Sequence, residues 1–151
     1  MADKIWPPSV TVAAVIEREG KFLLIEEDAD GERVTNQPAG HWEPGETLVQ
    51  ACAREALEES ACRFEPREVV GIYRWQSALN GITYLRFAFA GTILDIEKDR
   101  PLDRDIIRAV WLAPEEIRAC RARHRSQLVL RCVEDYLAGR RYPLDLITHY
   151  E

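Results

Sequence analysis

The stretch from Gly40 to Cys62 constrains the fold more than any other part of the chain. It contains Pro44-Gly45, a typical turn sequence, followed by a long run that lacks Pro and Gly and is rich in Ala, Leu, Glu and Gln. Such a run favours an α-helix, whereas the dipeptide before it favours a turn. This part of the sequence therefore predicts a loop that leads directly into a helix of roughly four turns.

One face of the predicted helix changes from apolar to acidic along its length. At about 100° per residue, Leu48, Cys52, Glu55 and Glu59 fall on one stripe, and Glu58 lies beside it. Carboxylates on an inward face repel one another and lose hydration, unless a cation lies among them. Mg²⁺ or Mn²⁺ suits such a site, because both take oxygen ligands and keep room for waters and substrate phosphates. A solvent-exposed acidic helix is the alternative.

The wider spacing favours the metal-binding interpretation. The pattern is Gly, five residues, Glu, seven residues and Arg-Glu-x-x-Glu-Glu, and it resembles the Nudix box of the Nudix hydrolase family. The positions in register are Gly40, Glu46, Arg54, Glu55, Glu58 and Glu59. The family pattern has Gly two residues after the last Glu, where this chain has Ala61. Glycine suits a left-handed helix cap, so Ala61 predicts a shifted or differently closed helix end.

The resemblance implies metal-dependent hydrolysis of a phosphoanhydride by water. It assigns Mg²⁺ or Mn²⁺ to Glu55, Glu58 and Glu59, with the backbone carbonyl of Ala39 as a further ligand. It also assigns to Glu55 the role of accepting the proton of the attacking water. Arg54 lies to one side of the acidic stripe, where it is placed to orient a glutamate by a charge-assisted hydrogen bond.

Three accessory carboxylates have two interpretations each. Glu46, at the start of the helix, either holds the loop or an extra metal ion, or stabilises the helix dipole. Asp103 and Asp105 lie in the charged segment 95–105. They either add a late carboxylate to the metal site or position water, with a solvated loop as the alternative.

Four more residues are candidates for substrate contacts. Asn36, Gln37 and Trp42 bracket the start of the acidic helix, although ordinary packing explains Trp42 equally well. Arg86 lies in a β-rich run and has a planar fork that suits phosphate, with a surface arginine as the alternative.

The remaining sequence predicts a layered α/β domain that spans residues 1–151. Polar loops are predicted at 28–35 and 95–105, helices near 114–117 and 126–137, and a tail at 142–147 that docks on the body. Strands are predicted at 9–16, 21–26, 69–76, 83–94 and 106–112. This order predicts a mixed sheet with helices on both faces. The Nudix resemblance names that architecture as an α/β/α sandwich.

Composition narrows the partners and the compartment. Hydrophobic residues make up 46% and charged residues 30% of the chain, as in ordinary globular proteins. The net charge of −6 argues against binding to a nucleic-acid polymer. No apolar run has the length of a signal peptide or a membrane span, so we expect a cytoplasmic protein without a membrane partner. The 4 cysteines are scattered, which predicts buried free thiols. The sequence leaves a monomer and a homodimer open.

Stretches outside the box resemble a bacterial phosphatase branch of the Nudix family. They are segments 10–13, 19–23, 36–41, 85–87 and 141–144. The resemblance implies release of orthophosphate from nucleoside tri- and diphosphates and from hydroxymethylpyrimidine diphosphate. One alternative is hydrolysis of nucleoside diphosphates linked to another group, as in ADP-ribose or dinucleoside polyphosphates. The other is a nucleotide-sensing module without turnover, which would have no use for three inward carboxylates.

Overall fold

The computed structural model describes residues 4–151, which form two β-sheets flanked by α-helices. The helices are α1 Leu48–Ser60, α2 Pro114–Ala119 and α3 Leu128–Leu137, with short 3₁₀ turns at Arg121–Arg123 and Leu144–Leu146. The strands are β1 Ser9–Val15, β2 Glu17–Arg18, β3 Lys21–Ala29, β4 Glu32–Asn36, β5 Ala39–His41, β6 Cys62–Gln76, β7 Thr83–Ile96, β8 Ile106–Leu112 and β9 Tyr142–Pro143.

The larger sheet has the strand order β5-β1-β7-β6-β9 and is mixed, because β1 runs parallel to β7 and the other pairs are antiparallel. Strand β1 lies inside the sheet and is buried on both faces, as its apolar sequence predicts: Val12 and Ala14 face one side and Ala13 the other. Helix α1 covers the first face, and α2 and α3 cover the second. The predicted α/β class with a mixed sheet is confirmed; the prediction of one domain over 1–151 stays a prediction.

The second sheet corrects the prediction of a polar loop at 28–35. Strand β3 continues to Ala29 and pairs with β4 through a tight turn at Asp30 and Gly31, and β8 pairs with the other side of β3. The Asp28 carboxylate closes the turn by accepting a hydrogen bond from Gly31 N at 2.8 Å. Strand β4 lies at a sheet edge, where Glu32 and Arg33 are exposed, whereas Thr35 and Asn36 are buried.

Strand β6 is longer than the predicted 69–76. It begins at Cys62, directly after α1, and pairs with β7 over its whole length. The register shifts between Pro66 and Glu68, so a β-bulge accommodates a proline and charged residues that do not resemble a strand.

Helix α1 ends where the family pattern would end it, so the prediction of a shifted or differently closed end is wrong. Ala61 itself adopts the left-handed conformation, with φ 60° and ψ 15°, and its N–H bonds the carbonyl of Leu57 at 3.0 Å. At the other end, Thr47 and Gln50 form a reciprocal capping box. Both ends of the acidic helix are therefore fixed by local contacts.

Two smaller predictions are confirmed. The C-terminal tail docks on the body: β9 pairs with β6, and Leu144 and Ile147 pack against the core under α1. All four cysteines are free and buried.

Between residues 4 and 151, no helix is long and apolar enough to cross a bilayer.

Candidate active site

A cleft of about 850 Å³ opens between the two sheets, and the acidic half of α1 forms one of its ends. The larger sheet contributes residues of β1, β5, β6 and β7, and the smaller sheet contributes residues of β3 and β4. Charged and aromatic side chains line different parts of the cleft. They include Glu27, Glu55, Glu59, Trp75, Tyr84, Arg86, Asp103 and Arg125.

Three carboxylates meet at the acidic end. Glu55, Glu58 and Asp103 each offer an oxygen atom within 4.8 Å of the others. Asp103 belongs to the loop before β8, and its N–H bonds the backbone carbonyl of Glu58 at 3.0 Å, which ties this loop to α1. Three anionic oxygens at this separation have the donor chemistry that Mg²⁺ and Mn²⁺ prefer, so the residues present fit a divalent metal ion.

Glu59 lies in the same cleft but is held by the backbone of β5. Its Oε1 accepts a hydrogen bond from Ala39 N at 2.9 Å. Pro38 and Trp42, on either side of β5, form backbone hydrogen bonds with β1. Successive residues of a strand direct their N–H and carbonyl groups to opposite edges, so those of Ala39 face away from β1. The carbonyl of Ala39 is therefore on the side of the strand that faces the acidic helix.

Burial and crowding raise the pKa values of two of these acids when no cation is bound. Burial, together with the charges of Glu58 and Asp103, raises the pKa of Glu55 to about 7, although the Arg54 guanidinium opposes this. Burial, with a smaller contribution from Glu55, raises the pKa of Glu59 to about 8. A divalent cation at this site would relieve both effects.

Arg54 joins the loop of the box to its helix. It donates to both carboxylate oxygens of Glu46, at 3.0 and 2.8 Å, and to the carbonyl of His41 at 3.0 Å. Its Nη1 donates to Glu55 Oε1 at 2.8 Å and to Glu58 Oε2 at 3.2 Å. The hydrogen bonds to Glu46 are the main reason why the pKa of Arg54 is raised, so this cation is permanent. It fixes one oxygen of Glu55 and leaves the other available.

Arg86 is a buried cation at the floor of the cleft. Only 6% of its surface is exposed, and its guanidinium donates to Asn36 Oδ1 and to Gln37 Oε1, both at 3.0 Å. Gln37 is in turn held by Val129, whose carbonyl accepts from Gln37 Nε2 at 2.7 Å. Within residues 4–151, no carboxylate lies at ion-pair distance from Arg86. A buried charge with neutral partners is costly, and an anionic ligand would compensate it.

The structure separates the other predicted residues. Asn36 and Asp103 line the cleft, whereas Gln37 lies behind Arg86. Trp42 lines a separate cavity of about 450 Å³ near the C-terminal tail, and its indole N–H bonds the carbonyl of Glu46. The side chain of Glu46 is engaged by Arg54 and by the N–H of Glu43. Asp105 is exposed and does not line the cleft.

Sequence reasoning missed several residues of the cleft. Trp75 and Tyr84 stack on each other across β6 and β7, and Arg125 donates to Glu27 at 2.7 Å. The aromatic pair flanks the predicted Asn80-Gly81 hairpin, which would have placed the two rings opposite each other. The Glu27 and Arg125 pair joins segments 98 residues apart, and nothing local indicates it.

Comparison with known proteins identifies the family. The model of the NUDIX domain matches residues 6–132. The chain belongs to the Nudix hydrolase family of enzymes.

Curated phosphatases and a solved structure are similar to this chain over nearly its whole length. Phosphatase NudJ of Escherichia coli strain K12 is 41% identical over 146 residues, which cover 97% of this chain and 94% of that protein. The same values hold for Phosphatase NudJ of Shigella flexneri. A NUDIX hydrolase from Nitrosomonas europaea is 54% identical, with a TM-score of 0.94 and coverage of 95% of this chain and 98% of that chain.

Proposed function

We propose that this protein is a metal-dependent phosphatase that releases orthophosphate from nucleoside tri- and diphosphates and from hydroxymethylpyrimidine diphosphate. The observation that carries the proposal is the cluster of Glu55, Glu58 and Asp103 at one end of a cleft whose floor holds the buried cation Arg86. Such a cleft offers metal ligands and an anion-binding group together. The similarity to Phosphatase NudJ over 97% of the chain supports the substrate class.

Glu55, Glu58 and Asp103 would hold Mg²⁺ or Mn²⁺, with Glu59 and the carbonyl of Ala39 beside them. When bound, the ion neutralises phosphate oxygens and lowers the pKa of water. Asp103 extends the ligand set beyond the three glutamates of the box, because its oxygen lies within 4.8 Å of those of Glu55 and Glu58.

Glu55 is the proposed general base. Its Oε1 accepts a hydrogen bond from Arg54 Nη1, which holds the carboxylate that accepts the proton of the attacking water. Arg54 positions this carboxylate and cannot itself exchange a proton at neutral pH. Asn36 and Gln37 hold the guanidinium of Arg86, which binds a phosphate oxygen of the substrate.

The test is phosphate release by the purified protein with Mg²⁺, with Mn²⁺ and with chelator. The substrates are nucleoside tri- and diphosphates, hydroxymethylpyrimidine diphosphate, ADP-ribose and dinucleoside polyphosphates, with orthophosphate, pyrophosphate and nucleoside monophosphate separated. Metal-dependent orthophosphate from the first three substrates supports the proposal. Nucleoside monophosphate from the linked substrates, or binding without any product, would contradict it.

A pair of variants assigns the activity to this site. Glu58→Gln keeps the size of the side chain but removes a metal-binding charge, so turnover should fall by orders of magnitude while the protein stays folded. Glu65→Gln is the matched control, because Glu65 is exposed on β6 and does not line the cleft. Equal activity of Glu58→Gln and wild type would refute the assigned site.

A further inference from the structure

We propose that Trp75 and Tyr84 form a platform on which the base of a nucleotide substrate stacks, and that this platform separates nucleotides from ring-free polyphosphates. This inference rests on the proposed function and adds to it the part of the site that recognises the organic half of the substrate. The two rings stack with centroids 5.7 Å apart and an interplanar angle of 25°. Both line the cleft that contains the acidic cluster.

The register of the sheet puts the platform in line with Arg86. Trp75 pairs with Tyr84 across β6 and β7, and Arg86 follows Tyr84 by two residues, so the three side chains lie on one face. That face is the floor of the cleft. Along β7, the aromatic ring of Tyr84 is therefore followed by Arg86, a buried cation that has no carboxylate partner among residues 4–151. This order suits a ligand with a flat ring and an anionic chain.

The distance to the acidic end sets the length of that ligand. Ala39, which bonds Glu59, pairs with Ala13 of β1, whereas Tyr84 pairs with Ser9 of the same strand. Strands lie about 4.8 Å apart and rise about 3.3 Å per residue, so Tyr84 lies about 10 Å across and about 13 Å along the sheet from Ala39. This span suits a nucleotide, in which a ribose separates the base from the polyphosphate.

The rings are held but remain accessible. Trp75 and Tyr84 are each half-buried, and Asn80 Nδ2 donates to the hydroxyl of Tyr84 at 3.2 Å. Ser77, Leu79 and Asn80 of the turn between β6 and β7 line this end of the cleft. A half-buried stacked pair fixed at one edge offers an open aromatic face, and every nucleobase has a π-face that can stack on it.

The experiment compares a ligand with a base and a ligand without one. Titration calorimetry in Mg²⁺ measures the Kd of a non-hydrolysable nucleoside triphosphate and of inorganic tripolyphosphate for wild type, Trp75→Leu and Tyr84→Leu. We expect each Leu variant to weaken binding of the nucleotide by about tenfold, within the range of base stacking on one aromatic ring. Binding of tripolyphosphate should change by less than about twofold, because no ring is present to stack.

Matched variants test whether the aromatic ring itself matters. Trp75→Phe and Tyr84→Phe retain a ring and should retain most of the nucleotide affinity. Trp6→Leu removes a tryptophan that is 64% exposed and lies outside the cleft, and it should leave the affinities for both ligands unchanged. The platform would be refuted by equal weakening of both ligands, by no change in either, or by a wild type that binds nucleotide no more tightly than tripolyphosphate. If the wild type binds nucleotide through the two rings but releases no phosphate, the proposed function fails and the platform stands.

Discussion

Gly40 lies directly against the carboxyl group of Glu55, so that a β-carbon at Gly40 would overlap all three terminal atoms of that side chain. The backbone of Gly40 does not have a positive φ, so packing and not conformation requires glycine here. The atoms that would have to move are the end of a flexible side chain rather than backbone. The glycine of the box therefore positions the proposed base.

Gly40→Ala should reduce kcat by about 100-fold or more while lowering the melting temperature by only a few degrees, because the added methyl group displaces a carboxylate that has to be placed to within about 1 Å. The measurements are steady-state kinetics and thermal unfolding. In the Glu55→Gln background the same change should cost little further activity, since the two residues act as one unit. Additive losses would show that Gly40 acts by another route.

Arg54→Lys should lose most of the activity of the enzyme even though it keeps the charge. A lysine cannot reproduce the planar fork that contacts Glu46, Glu55 and the carbonyl of His41 together. We expect kcat to fall by at least about tenfold with a smaller change in KM, measured with saturating Mg²⁺. Arg63→Lys is the control, because Arg63 forms a surface ion pair with Glu97 away from the cleft. Full activity of Arg54→Lys would contradict a positioning role.

The metal-free protein should become less stable as pH rises from about 4.5 to about 8. Burial raises the pKa of Glu55 to about 7 and of Glu59 to about 8, against 4.5 as the ordinary value. In this window the folded state binds more protons than the unfolded state, so the free energy of unfolding falls as pH increases. Thermal unfolding in chelator at pH 5.5 and 8.5 measures the effect.

Glu59→Gln is the control for this pH dependence, because the glutamine is neutral at every pH. The difference in melting temperature between the variant and wild type should grow with pH, and since both proteins share the half-buried His124, its opposing titration cancels. Saturating Mg²⁺ should stabilise wild type most at the higher pH. A difference that is independent of pH would contradict the raised pKa of Glu59.

Ala61→Gly should stabilise the protein. Ala61 caps α1 with a left-handed φ of 60°, which costs an alanine about 1–2 kcal/mol. Glycine removes that cost, but its greater conformational freedom stabilises the unfolded state by about 0.4–1 kcal/mol. We therefore expect a net gain of roughly 0.5–1 kcal/mol in the free energy of unfolding. Ala138→Gly is the matched control at the cap of α3, where φ is −74° and glycine should destabilise. Chemical denaturation measures both, and a loss of stability in Ala61→Gly would contradict the argument.

Arg86→Gln should weaken substrate binding without weakening the fold. Glutamine removes a buried charge whose partners, Asn36 and Gln37, are neutral, so the free energy of unfolding should stay equal or rise. The KM for a nucleoside triphosphate should increase about tenfold or more, because the charge-assisted hydrogen bond to phosphate is lost. Arg74→Gln, at an exposed position of the same sheet, should change neither quantity. An unchanged KM in Arg86→Gln would show that Arg86 is structural.

The local elements of the fold follow from the sequence because their signals are local. The signals lie in residues that are close together in the sequence. This holds for the apolar run of β1, for the strand Ile106–Leu112, for the turn before α1 and for the length of α1. Strand β4 and the first half of β6 have polar or proline-containing sequences, and their pairing partners lie elsewhere in the chain. Cross-strand pairing overrode the weak local preference in both cases.

The acidic helix follows from local sequence, since Glu55, Glu58 and Glu59 share a face as a consequence of the helical repeat. The fold determines which carboxylate completes the cluster: Asp103 joins Glu55 and Glu58, whereas Asp105, two residues later, does not. It also decided that Arg86 lies under the cleft with Asn36 and Gln37. The physical reason is that helical periodicity is fixed by the backbone, whereas the meeting of distant segments depends on sheet register and loop anchoring, which no short stretch of sequence encodes.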